Sequence, residues 1–108
     1  GAADWQRAKA SIRELKDISE TRGIRLVALL VPELHDLSED GPLPPLNRKI
    51  EDALTEVGIP MINPLPRCQA AYGDDPSQSW VAKNDPHPNS SAHKLLADAL
   101  FDYLARRI

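Results

Sequence analysis

The chain has 108 residues, 42% of them hydrophobic and 27% charged, and a formal net charge of -3. That is the composition of one globular domain, spanning 1–108, and it excludes disordered and fibrous classes. The acidic balance offers no basic surplus for a polyanion, so nucleic acid is not an expected partner, and a lone cysteine, Cys68, excludes a disulfide framework or a multi-cysteine zinc site.

Taken in order, the first periodic segment follows Asp4, a candidate N-cap. Trp5, Ala8, Ile12, Leu15 and Ile18 recur at helical spacing and predict one apolar stripe that ends at Gly23. Ile24 to Val31 is almost continuously apolar and predicts a strand buried on both faces of a parallel sheet. Leu34 to Leu43 reads as a polar loop. A second helix is expected from about Pro45 to Val57, with Leu46, Ile50, Ala53, Leu54 and Val57 inward and Gly58 closing it. Ile59 to Ile62 predicts a shorter strand, with Pro60 marking an edge or a strand start. Asn63 to Pro88 reads as one long loop carrying Pro64, Pro66, Pro76, Pro86 and Pro88. The last helix is expected from Asn89 or Ser90, with Ala92, Leu95, Leu96, Ala99, Leu100, Tyr103, Leu104 and Ile108 on its apolar side.

Helices alternating with parallel strands imply a three-layer α/β fold with right-handed crossovers. Two strands do not make a stable sheet of that kind. The sheet is therefore expected to be partial here and completed elsewhere, by further residues, another copy or a second polypeptide. No apolar run approaches the ~20 residues of a membrane helix, so no membrane partner is expected. Gly1-Ala2-Ala3 lacks the charged and apolar regions of a signal peptide, which leaves the compartment open.

Asp85-Pro86-His87-Pro88-Asn89 is the stretch with chemical content. Two prolines restrict its backbone. An Asp two residues before a His on such a segment can take the imidazole Nδ1 and leave Nε2 as a general base. Equally, the stretch can be a turn and helix start with Asp85 capping locally. Trp80 and Val81, just upstream, are expected to pack the loop onto the sheet, or Trp80 walls an acyl pocket. Glu33, His35 and Asp36 follow the long strand and form either a solvated loop or a site rim that touches substrate. Ser77, Ser79, Ser90 and Ser91 are the serines near His87, the last two better suited to capping than to attack. His87 and His93 have no third ligand at useful spacing, so no metal is expected.

The run Asp85 to Ala97, with Gly23 to Leu37 and Gly58 to Pro66 upstream, resembles the C-terminal half of the SGNH (GDSL-like) hydrolase family. The resemblance implies a flavodoxin-like three-layer fold, His87 as the base that activates a serine, and Asp85 as its orienting partner. It implies a small-molecule or glycan ester substrate, with no cofactor. Where family members have a wider spacing, the orienting position falls on Asn84. The family's Gly-Asp-Ser-like block and its glycine and asparagine oxyanion donors have no counterpart in this sequence. The expectation is therefore an Asp–His pair serving a serine from outside the chain, in a missing N-terminal half or a partner. The competing expectation is a non-catalytic α/β interaction module that self-associates through an open sheet edge.

Overall fold

The computed structural model of the chain describes residues 1–38 and 43–106. Its elements are α1 (Ala2–Thr21), β1 (Ala28–Leu29), α2 (Leu43–Val57), β2 (Met61–Ile62), α3 (Leu65–Tyr72), a 3-10 helix (Pro76–Ser79), β3 (Trp80–Ala82), β4 (Asp85–Pro88) and α4 (Ser90–Ala105). The fold is mixed α/β, with two small sheets: β1 with β2, and β3 with β4. Two compact units are present, one made of Gly1–Ala28 and Pro45–Met61, the other of Leu29–Pro44 and Ile62–Ile108.

In the first unit, both helices end in the same way. Gly23 (φ 68°) and Gly58 (φ 80°) lie in the left-handed region. The Gly23 N–H bonds the Glu20 carbonyl and the Ile24 N–H the Ser19 carbonyl; Gly58 and Ile59 do the same with Thr55 and Leu54. These are paired Schellman closures, and a side chain at either glycine would strain the turn. Leu54 and Ile59 are both buried, as the apolar contact of that motif requires.

The stripe expected on α1 is only partly used. Trp5 and Ile12 are half-buried, but Leu15 and Ile18 are exposed, and the buried residue is Ser19. The inward line instead runs Trp5, Lys9, Ile12, Lys16, Ser19. Polar contacts explain the rotation: Lys9 and Arg13 reach Glu56 of α2 at 3.5 Å, and Lys16 donates to the Gly58 carbonyl at 3.4 Å. Lysine stems cover apolar surface while their heads stay wet. Asp4 is not the N-cap. It lies within the first turn of α1 and accepts from the Gly1 amino group at 3.3 Å and Arg7 at 3.2 Å.

The eight-residue strand expected over Ile24 to Val31 shortens to Ala28–Leu29, and its partner to Met61–Ile62. Ala28 N–H bonds the Pro60 carbonyl and Leu30 N–H the Ile62 carbonyl, both at 2.9 Å. The two bonds advance in the same direction along both segments, which is a parallel ladder. Burial on both faces does not hold along the segment: Ile24 is 55% exposed and Val31 52%. A parallel pair needs cover on both faces to exclude water from its bonds, and the ladder is short where that cover stops.

The second unit has a buried cluster of its own. Leu34, Leu37, Cys68, Tyr72, Ala92 and Leu96 form one buried cluster, with Leu29, Leu65, Trp80 and Leu95 packed against it. Leu34 and Leu37 come from the segment read as a polar loop, whose residues 39–42 lie outside those described. The segment read as one long loop is mostly ordered structure: α3, the 3-10 helix and the β3–β4 hairpin. Its prolines sit where their missing N–H costs little, Pro66 in the first turn of α3 and Pro76 in that of the 3-10 helix. In α4 the expected face is present over its first turns, with Ala92, Leu96 and Ala99 buried, but Leu104 is exposed; Ile108 lies outside the described residues. Among the described residues no helix is long and apolar enough to cross a membrane.

Candidate functional site

The Asp85–His87 stretch is not a bare turn before a helix. It is the second arm of an antiparallel hairpin, joined to β3 by the two residues Lys83 and Asn84. Trp80 stands opposite Pro88 and Ala82 opposite Asp85. Two steps along β3 thus match three along β4, so the register shifts between these two pairs. This is a β-bulge, a device that re-aims side chains and ends regular pairing. Proline suits such a strand, since an edge or bulge position asks for no ladder N–H.

The bulge brings the two expected site residues together. Asp85 Oδ1 lies 2.5 Å from His87 Nδ1, and the same oxygen accepts the His87 backbone N–H at 3.1 Å. The ring bond, then the backbone bond, hold the Asp85 carboxyl below its ordinary range, because both stabilise the carboxylate. Asp85 is half-exposed and the His87 side chain 83% exposed. With Nδ1–H donating to the carboxylate, the neutral ring carries its lone pair on Nε2, the atom a general base uses. Asn84 is exposed in the turn, and the orienting bond is made by Asp85.

Trp80 is committed elsewhere. Its indole N–H donates to the Leu34 carbonyl at 2.9 Å and its ring packs against the core cluster. Val81, expected with Trp80 to pack the loop onto the sheet, is instead exposed on β3. His35 is exposed, its Nδ1 3.1 Å from Glu33 Oε1. Three of the four nearby serines have their own bonds, and Ser90 is exposed at the start of α4. Ser77 donates to Asp75 Oδ1 at 2.5 Å, buried Ser79 donates to the Pro76 carbonyl at 2.6 Å, and Ser91 shares a hydrogen bond with the Tyr72 hydroxyl. Cys68 is in the core, where burial pushes its thiol pKa up. His93 is exposed on α4. Among the described residues no three His, Cys, Asp or Glu side chains are grouped to hold a metal ion.

Asn89 is the residue whose role the sequence pattern understated. It caps α4 as expected, its Oδ1 accepting the Ala92 N–H at 2.9 Å. It also donates from Nδ2 to the Gln78 carbonyl at 2.8 Å and to the Trp80 carbonyl at 3.2 Å, and its own N–H donates to the Ser79 carbonyl at 2.9 Å. A cap is legible from an Asn before a helical stripe, whereas the donor half of the contact depends on a hairpin that was not expected.

An open hollow of about 500 Å³ is lined by Arg67, Ala71, Tyr72, Ser91, Lys94, Leu95 and Asp98. Neither Asp85 nor His87 lines it. No protein-family model, curated protein or solved structure matches the chain.

Proposed function

We propose that the chain carries the general-base half of a serine-dependent ester hydrolase or O-acyl transferase of SGNH type, acting on a small-molecule or glycan ester. One observation carries the reading: the 2.5 Å contact between Asp85 Oδ1 and His87 Nδ1 on an exposed hairpin. In this mechanism His87 Nε2 takes the hydroxyl proton of a serine as its Oγ attacks the ester carbonyl. Asp85 stabilises the imidazolium so formed, and the ring then gives the proton to the departing alkoxide. Deacylation repeats the cycle with water, or with an acceptor hydroxyl in transfer. No metal or cofactor takes part.

The serine and the oxyanion donors come, on this reading, from residues upstream or from a partner, which also complete a flavodoxin-like three-layer sheet. The short parallel ladder and the exposure of Ile24 and Val31 support a sheet meant to continue. The same two observations favour the second reading, a module that self-associates through this edge. The experiment assays the chain together with the residues encoded upstream of it on a p-nitrophenyl ester. His87→Ala should lower kcat roughly 10²–10⁴-fold. Activity that survives the substitution would contradict the base assignment. Concentration-dependent dimers of an inactive protein in sedimentation would favour the module.

A further inference from the structure

We infer that Asn89 is the positioning residue of the Asp85–His87 pair, its carboxamide latching the bulged strand to α4 and to the 3-10 helix at once. The inference rests on the proposed function for its catalytic meaning, but its structural content stands on the hydrogen bonds alone. β4 is a poor strand by composition. Pro86 and Pro88 give it no N–H at two of four positions, and the bulge breaks its register with β3. Such an arm slides or frays unless something else holds its end.

Asn89 supplies that hold. Nδ2 spends its two hydrogens on the carbonyls of Gln78 and Trp80, Oδ1 takes the Ala92 N–H, and the backbone N–H reaches Ser79. Both carboxamide atoms are used, and the partners lie on three elements: the 3-10 helix, β3 and α4. The Trp80 carbonyl matters most, because Trp80 faces Pro88, the residue between His87 and Asn89. The latch therefore fixes both strands of the hairpin within two residues of the imidazole. Trp80 is in turn anchored through its indole to the Leu34 carbonyl in the core. His87 is thus joined by a short bonded path to the buried cluster although its ring is in water.

Serine can cap a helix as asparagine does, but has no amide to give to two carbonyls. Asn89→Ser therefore separates the two halves of the role. Helix content by far-UV circular dichroism should be kept, while His87 ring ¹⁵N shifts move from the Nδ1–H tautomer toward the mixture of a free imidazole. In the protein that includes the upstream residues, kcat on a p-nitrophenyl ester should fall about 10- to 100-fold with KM unchanged, the cost of a misplaced base. Asn89→Asp, which keeps the cap oxygen and loses both donors, should repeat the tautomer change. An unaltered tautomer in both variants with folded helices overturns the inference, whatever the activity. A changed tautomer in a protein that hydrolyses no ester supports the latch and removes the proposed function instead.

Discussion

Replacing Trp80 with phenylalanine tests whether this ring is structure or substrate wall. The change keeps an aromatic ring but removes the indole N–H that meets the Leu34 carbonyl at 2.9 Å. Leu34 is 2% exposed, so water does not readily take over the abandoned acceptor. Stranding a buried carbonyl costs about 1–3 kcal/mol. The smaller ring also loses packing against the cluster of Leu34, Leu37, Cys68, Tyr72, Ala92 and Leu96, but Trp80 is only half-buried, so this adds a fraction of the ~1 kcal/mol or more that a full core truncation costs. A total of about 2 kcal/mol lowers Tm by roughly 8–16 °C for a domain of this size. Thermal melting followed by far-UV circular dichroism reads it directly. A Tm within about 2 °C of the parent chain would refute the structural assignment and return Trp80 to the candidates for ester contact. Val81→Ala is the control: at 59% exposure it should change stability by less than about 0.5 kcal/mol.

Other outcomes follow from the same contacts. Leu96→Ala empties a buried position of α4 and should cost about 2–5 kcal/mol in urea unfolding, whereas Phe101→Ala, on the same helix but exposed, should cost little. Gly58→Ala forces a side chain into φ 80° and should destabilise by about 1–2 kcal/mol; an unchanged midpoint would mean the Schellman closure of α2 is not formed in solution. The Asp85 carboxyl should titrate below the unfolded value of ~3.9. Its folded pKa is depressed, so the pair stabilises the fold above that pH, and the contribution is lost as pH falls through the folded value. His87→Ala should bring the titration, followed by ¹³C carboxyl shifts, back toward the ordinary value. The 108 residues alone should hydrolyse no p-nitrophenyl ester above background, and serine-reactive labelling of them would show a nucleophile that the proposal does not provide.

Helix periodicity made α2 and α4 readable, because their buried residues, Ala53 and Leu54 in the one and Ala92, Leu96 and Ala99 in the other, fall on the expected stripes, although Leu46 and Leu104 on those stripes are exposed. The same rule misjudged α1, where Leu15 and Ile18 are exposed. There the inward side is set by lysines bonded to Glu56 and to the Gly58 carbonyl, and polar periodicity carries no such signal. The larger miss was Asn63 to Pro88. Leu65, Cys68 and Tyr72 do recur at helical spacing, but the prolines around them pointed to a loop, although a proline in a helix's first turn is harmless. The hairpin was hidden for a related reason. Asp85 to Pro88 has neither alternation nor β-branched residues, and it pairs through a bulge held by Asn89 rather than by its own ladder. The Asp–His pair itself was legible, since a two-residue spacing puts a short carboxylate within reach of Nδ1, whereas the latch that holds the segment in place was not. Of the pair's neighbours, Trp80 packs inward and Asn89 caps α4 as expected, while the outward place of Val81 and the donor bonds of Asn89 depend on the hairpin.

The central claim is that Asp85 holds the His87 ring so that Nε2 carries the lone pair. Long-range ¹H–¹⁵N correlation of the neutral imidazole tests it without any substrate. The account predicts a ring protonated mainly at Nδ1 in the unaltered chain, and reversion to the free-imidazole mixture in Asp85→Ala. The same tautomer mixture in both proteins would contradict it, and with it the general-base role assigned to His87.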